Sequence, residues 1–211
     1  FEEIGNDPTG SVQALLAARD GRIWYSPAST LRVFDGNGQV DMPGLARIAA
    51  YNVISLYEDA DGWIWLGTFG HGAYRYQPGT GQLQHYTEQQ GLANENVLSI
   101  DGTGREVWFA TLGGVSRCRL PGPENSAQAL SFERFSREDG LGINYIYQVR
   151  AGSRGRIWFA TDGRGVSVFE KGKFVNHSDT SLLRSHVVYS LAEDMQGRIW
   201  FSTAQAGIYR V

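Results

Sequence analysis

The chain has 211 residues, 42% apolar and 12% aromatic, with 27 glycines, six prolines and one cysteine. It is too apolar and aromatic to be disordered, its glycines follow no Gly-X-Y period, and a single cysteine makes neither an internal disulfide nor a thiolate metal site. Nineteen Lys and Arg against 22 Asp and Glu leave a net charge of −3, which argues against nucleic acid as a partner, and no run approaches the roughly 18 apolar residues of a membrane span. The start, Phe1-Glu2-Glu3, is neither basic nor apolar and so is not read as a signal peptide. Together with the missing initiator Met it is read as a fragment or mature domain.

In chain order the first apolar run is Phe1 to Ile4. Five copies of one pattern follow, each marked by a tryptophan after Ile or Val: Trp24, Trp65, Trp108, Trp158 and Trp200, spaced by 41, 43, 50 and 42 residues. Before each Trp stands an apolar run and an acidic or glycine turn. Val53 to Leu56 precedes Asp59-Ala60-Asp61-Gly62, and Val188 to Leu191 precedes Asp194 to Gly197. After each comes a small residue and usually Thr, then a glycine turn and a third run, such as Ala73 to Tyr76 or Val166 to Phe169. A fourth run closes the unit at Val40 to Pro43, Leu83 to Tyr86, Phe132 to Phe135 and Phe174 to His177.

Runs of four to six β-branched or aromatic residues bounded by Gly, Asn or Asp read as strands, and four per repeat of this length predict an all-β propeller of four-stranded antiparallel blades. Leu45 to Tyr51 is too short to count as a helix. The chain is expected to be one domain over 1–211. Five blades result if Phe1 to Ile4 pairs with Ile208 to Val211 and closes the ring. The alternative is an open fragment of a seven-bladed ring.

The consensus Val-x-x-Leu-x-x-Asp-x-x-Gly-x-Ile-Trp-x-Gly-Thr-x-x-Gly-x-x-x-Tyr is matched almost in full by residues 53–76, and Gly91-Leu92 and Gly140-Leu141 form its lead-in. This pattern resembles the two-component regulator propeller repeat. The resemblance implies the periplasmic sensor region of a hybrid histidine kinase, with a kinase module downstream in the full-length chain. Departures are Ser26-Pro27 in place of Gly-Thr, a shortened turn at Asp101 to Gly104, and an insertion, Pro121 to Ser131.

The five anchoring tryptophans are expected to pack between blades. Trp63 stands outside the pattern and is expected to face away from Trp65. Asp20, Asp59 or Asp61, and Asp194 are expected to cap turn amides rather than bind a metal. Thr68, Thr111, Thr161 and Thr203 are expected to bond neighbouring blades.

Function belongs on the loops. Those joining second to third strands offer Phe69, His71, Asp162, Arg164 and Gln205; those entering each first strand offer Tyr51, Asn96, Asn144, Tyr145 and His186. Aromatic rings with amides, carboxylates and cations around one mouth suit a polar small molecule such as a glycan. No nucleophile elbow, His-Glu-x-x-His or phosphate loop occurs, so no catalytic residue, cofactor or metal is expected. A protein-interaction scaffold is the first alternative. The second is a metal-dependent lyase similar to the streptogramin lyases, with His71 and His186 meeting near Asp162 or Glu95. The ligand and the oligomeric state are left open.

Overall fold

The computed structural model describes residues 11–27, 30–48, 51–125, 128–178, 187–205 and 207–211. Blade 1 holds β1 (Val12–Ala17), β2 (Ile23–Pro27), β3 (Arg32–Phe34) and β4 (Gln39–Val40). Blade 2 holds β5 (Val53–Glu58), β6 (Ile64–Thr68), β7 (Ala73–Gln77) and β8 (Gln82–Tyr86). Blade 3 holds β9 (Val97–Thr103), β10 (Glu106–Thr111), β11 (Gly114–Arg119) and β12 (Ser131–Phe135). Blade 4 holds β13 (Ile146–Ala151), β14 (Ile157–Thr161), β15 (Val166–Glu170) and β16 (Lys173–His177). Blade 5 holds β17 (Val188–Glu193), β18 (Ile199–Thr203) and β19 (Gly207–Arg210). Every strand pairs antiparallel with its sequence neighbour. The architecture is a five-bladed β-propeller, as the repeat predicts.

The strand expected at Phe1 to Ile4 lies outside the described residues, and so does its pairing with 208–211. Each of the four interfaces between successive blades holds an apolar core. Among the described residues no fifth core joins blade 5 to blade 1, and Leu15 and Ile208, 70% and 71% exposed, stand on the two outer faces of the series.

The anchoring tryptophans sit in the second strands, and Trp24, Trp65 and Trp108 have no exposed surface. Trp65 meets Phe109 of the next blade edge-on at 5.0 Å, and Trp108 meets Phe159 likewise at 5.6 Å. The small residue two places after each Trp has a steric cause. A Cβ at Gly67 would lie 2.9 Å from Val97 of blade 3, so the next inner strand comes too close for a larger side chain. The lead-in Gly-Leu is a cap followed by a plug. Thr87 and Gln90 form a capping box over a 3-10 turn that Gly91 ends at φ 116°, and the following Leu92 is fully buried. Ser136, Asp139, Gly140 and Leu141 repeat the device in blade 4.

Polar stitches complete the interfaces. A bulge in each inner strand turns a side chain towards the next blade. Ser55 Oγ accepts from Ile100 N at 2.8 Å, Ser99 Oγ from Val149 N at 3.2 Å, and Gln148 Oε1 from Leu191 N at 2.5 Å. The threonines do not take this role. Thr68, Thr111, Thr161 and Thr203 each donate through Oγ1 to a glycine carbonyl in their own blade, at 2.7 to 3.1 Å. The expected inter-blade bonds are therefore replaced by closure of the loop between second and third strands, because a hydroxyl ending the second strand reaches its own turn first. In blade 1, where Gly-Thr is missing, Ser26 Oγ bonds Thr30 O at 3.0 Å to the same effect.

Candidate functional site

The loops after the second strands and those before the first strands share one face. Their backbones are tied together in a repeating register: Phe69 N donates to Asn52 O, Leu112 N to Asn96 O, Asp162 N to Tyr145 O and Ala204 N to Val187 O. The candidates chosen on these two sets of loops therefore share one face, and the backbone fixes pairs of them within each blade.

Blade 2 carries one aromatic group. Tyr51 stacks on His71 with centroids 4.2 Å apart and on Tyr74 at 5.7 Å; Tyr74 in turn lies nearly parallel to His85 at 4.2 Å. His85 Nε2 stands 2.9 Å from His71 O, which ties the two ends of this stack together. Burial, then Tyr51 and Glu95, push the Tyr74 hydroxyl up to about 12. It is a neutral hydrogen-bonding group at any physiological pH. Phe69 is half exposed, and Asn52, whose carbonyl accepts from Phe69 N, has its Oδ1 buried with no partner among the described residues.

Blades 4 and 5 carry the other group. Tyr145 meets Tyr147 at 5.2 Å, and Tyr147 meets Tyr189 of blade 5 at 5.0 Å. Burial raises the Tyr147 hydroxyl pKa, and the Asp162 carboxylate adds to this by charge and by a hydrogen bond. Arg164 and Gln205 stand exposed on adjoining loops. Asn96 bonds Asn94 through Nδ2 and its backbone, and Asn144 Oδ1 accepts from Arg137 N at 2.9 Å, so both serve local turns. His186 lies outside the described residues.

The structure thus joins Tyr51 with His71, and Tyr145 with Asp162, and keeps the two groups on separate blades. Tyr147, Tyr74, His85 and Tyr189 were missed by sequence reasoning because they lie in strands. The i, i+2 spacing of Tyr145 and Tyr147 was the available signal, since alternate residues share a face. Below this face the inner strands line a channel past Asp101. Burial raises the Asp101 carboxyl pKa against the opposing amides of Ala151 and Gly102. Among the described residues no three His, Cys, Asp or Glu side chains are placed to hold a metal ion, and no helix is long and apolar enough to cross a membrane.

The turn aspartates cap amides as expected, and Asp59 rather than Asp61 does so in blade 2. Asp59 Oδ1 accepts from Asp61 N and Trp63 N, while Oδ2 accepts from Trp65 Nε1 at 2.8 Å and from Arg75 Nε at 2.8 Å. Trp63 does not face away from Trp65. The Arg75 guanidinium covers Trp63 at 4.4 Å and Trp65 at 5.5 Å, because residues two apart share one side.

Residues 48–70 and 182–205 match the two component regulator propeller family. Those two segments carry its repeat. No curated protein matches the chain. Two extracellular domains of hybrid two component systems from B. thetaiotaomicron have the same fold. One is 23% identical with a TM-score of 0.77, over 95% of this chain and 28% of that one; the second is 19% identical with a TM-score of 0.75, over 95% and 29%. The chain spans less than a third of either. Virginiamycin B lyase from Staphylococcus aureus also shares the fold, at 13% identity and a TM-score of 0.67, over 97% of this chain and 71% of the lyase.

Proposed function

We propose that this propeller is an extracytoplasmic ligand-sensing domain of a two-component receptor, non-catalytic itself, with its ligand held on the loop face and a kinase module elsewhere in the same polypeptide. The observation that carries the reading is the pair of aromatic groups on that face. Tyr51 with His71 and Tyr145 with Tyr147, Tyr189 and Asp162 offer ring surfaces beside hydrogen-bonding groups. The family repeat and the extracellular neighbours support the sensing role. A glycan fits these surfaces, since rings stack on the apolar faces of sugars while phenol, imidazole and carboxylate groups meet the hydroxyls. Signalling follows if the ligand binds one arrangement of the domain better than another. Periplasmic placement belongs to the same proposal.

Thermal-shift screening against neutral glycans tests it. A stabilising glycan whose shift disappears in His71→Ala and Arg164→Ala is the expected result. A shift unchanged in both variants rejects the loop face as the site.

A further inference from the structure

Two features depart from the repeat: Trp63 and the insertion after β11. They meet at one place. A cavity of 770 Å³ opens at the outer rim between blades 2 and 3. Trp63, Gln82, Gln84, Tyr86 and His85, the last also a member of the blade 2 stack, line its blade 2 side, and Pro121, Gln128, Ala129 and Leu130 of the insertion line it from blade 3.

The charges in this groove are already matched. Arg105 binds Asp61 through both Nη atoms at 2.9 Å, and Arg75 binds Asp59 at 2.7 Å and Asp61 at 3.6 Å. A charged ligand would have to break these pairs. What remains open is carboxamide. Gln90 Oε1 accepts from Thr87 N and Oγ1, leaving its NH₂ free to donate. Gln84 Oε1 accepts from the Tyr86 hydroxyl at 2.8 Å, leaving its NH₂ likewise. Gln82 and Gln84 are alternate residues of β8, so they share a face about 6.7 Å apart. That is the repeat of same-side carbonyls along an extended polypeptide. Across the groove, Leu130 and Ala129 supply an apolar surface suited to a side chain of such a segment.

We infer that this rim groove binds an extended, uncharged polypeptide segment, with Gln84 and Gln82 donating to its backbone carbonyls and Leu130 packing against one apolar side chain. The groove shares His85 with the blade 2 stack but none of the loop-face residues of blades 4 and 5, and the inference does not rest on the ligand proposed for that face.

Panning a displayed library of short random peptides on the whole domain, followed by calorimetric titration of the enriched peptides, tests the assignment. The expected result is binding that weakens about tenfold or more in Gln82→Ala/Gln84→Ala and in Leu130→Asp, while Arg164→Ala on the loop face of blade 4 leaves it unchanged. Circular dichroism confirms that the variants, all at partly or fully exposed positions, remain folded. Failure to enrich any peptide overturns the inference. Enriched peptides indifferent to the groove variants overturn it too, as does quenching of Trp63 by neutral oligosaccharides with no peptide bound.

Discussion

Blades 2 and 5 are built around an aspartate that blades 1, 3 and 4 lack. Six residues before the anchoring Trp stand Asp59 and Asp194; the same place holds Ala18, Gly102 and Gly152 in the others. Where the aspartate is present, the indole N–H is satisfied, at 2.8 Å in Trp65 and 2.7 Å in Trp200. In blades 1 and 3 it is absent, and Trp24 Nε1 and Trp108 Nε1 are buried without partners among the described residues. The aspartate comes with an arginine opposite the Trp, Arg75 and Arg210, whereas Val33 and Val168 occupy that register in blades 1 and 4. Blade 3 keeps the arginine alone, and Arg117 turns to Glu133 and Glu106. The two segments that match the family repeat contain the two aspartate turns. A propeller blade thus tolerates several solutions: the aspartate hub of blades 2 and 5, the arginine of blade 3 turned to glutamates, and the valine-faced Trp of blades 1 and 4.

Removing the hub from its most buried setting should cost the most. Asp59 is fully buried and Arg75 is 7% exposed. Asp59→Ala is expected to lose about 3–5 kcal/mol in denaturant unfolding, since a guanidinium is left with only the more distant Asp61. Pairing Asp59→Asn with Arg75→Met should cost less than the sum of the single changes.

The next effect separates the two kinds of Trp. Trp65→Phe strips Asp59 of a donor, while Trp108→Phe removes a group that has no partner among the described residues. The first should exceed the second by about 1–3 kcal/mol in the same assay. Equal losses would show that the indole bond contributes nothing.

Acid titration probes the more exposed hub. The Trp200 indole, then Arg198, hold the Asp194 carboxyl well below the usual carboxylate range, although partial burial opposes them. A depressed folded pKa stabilises above the unfolded value of about 4 and is lost as pH falls below it. The wild-type Tm should therefore fall more steeply than that of Asp194→Asn between about pH 4 and pH 2. Parallel curves would remove Asp194 from the acid response.

The smallest effect is a transplant. In the double variant Ala18→Asp/Val33→Arg the net change should stay within about 1 kcal/mol, because the new carboxylate meets both Trp24 Nε1 and a guanidinium; Ala18→Asp alone should cost more, because Ala18 is buried and Val33 supplies no counter-charge. Adding Val33→Arg should raise Tm above the single variant. Gly102 is no equivalent target, because a Cβ there would come within 2.3 Å of Glu106 O.

Much of this was legible in the sequence. Five Trp anchors, the strand boundaries around them and the capped Gly-Leu turns are local or strictly periodic signals, and they give the blade plan and the side of the ring that carries the loops. The partners were less legible. Asp59 was read as a turn cap, yet its second oxygen serves Trp65 and Arg75, which stand 6 and 16 residues on. The threonines were assigned to the wrong bond because a hydroxyl's choice between its own turn and a neighbouring blade depends on distance. Of the loop candidates, Asn96 and Asn144 turned inward to local amides, while Tyr147 and Tyr189 joined from strands.

The sequence by itself determined how many blades there are, where each begins and which residues anchor them, because a strand's alternation and a turn's backbone demands act over a few residues. Only the tertiary structure decided which indoles find a carboxylate, which rings stack across the loop face, and that Trp63 and the insertion enclose one groove. Those outcomes rest on side chains of different strands meeting in space, from Asp59 with Trp65 inside one blade to Tyr147 with Tyr189 across two, and no local backbone preference encodes such distances.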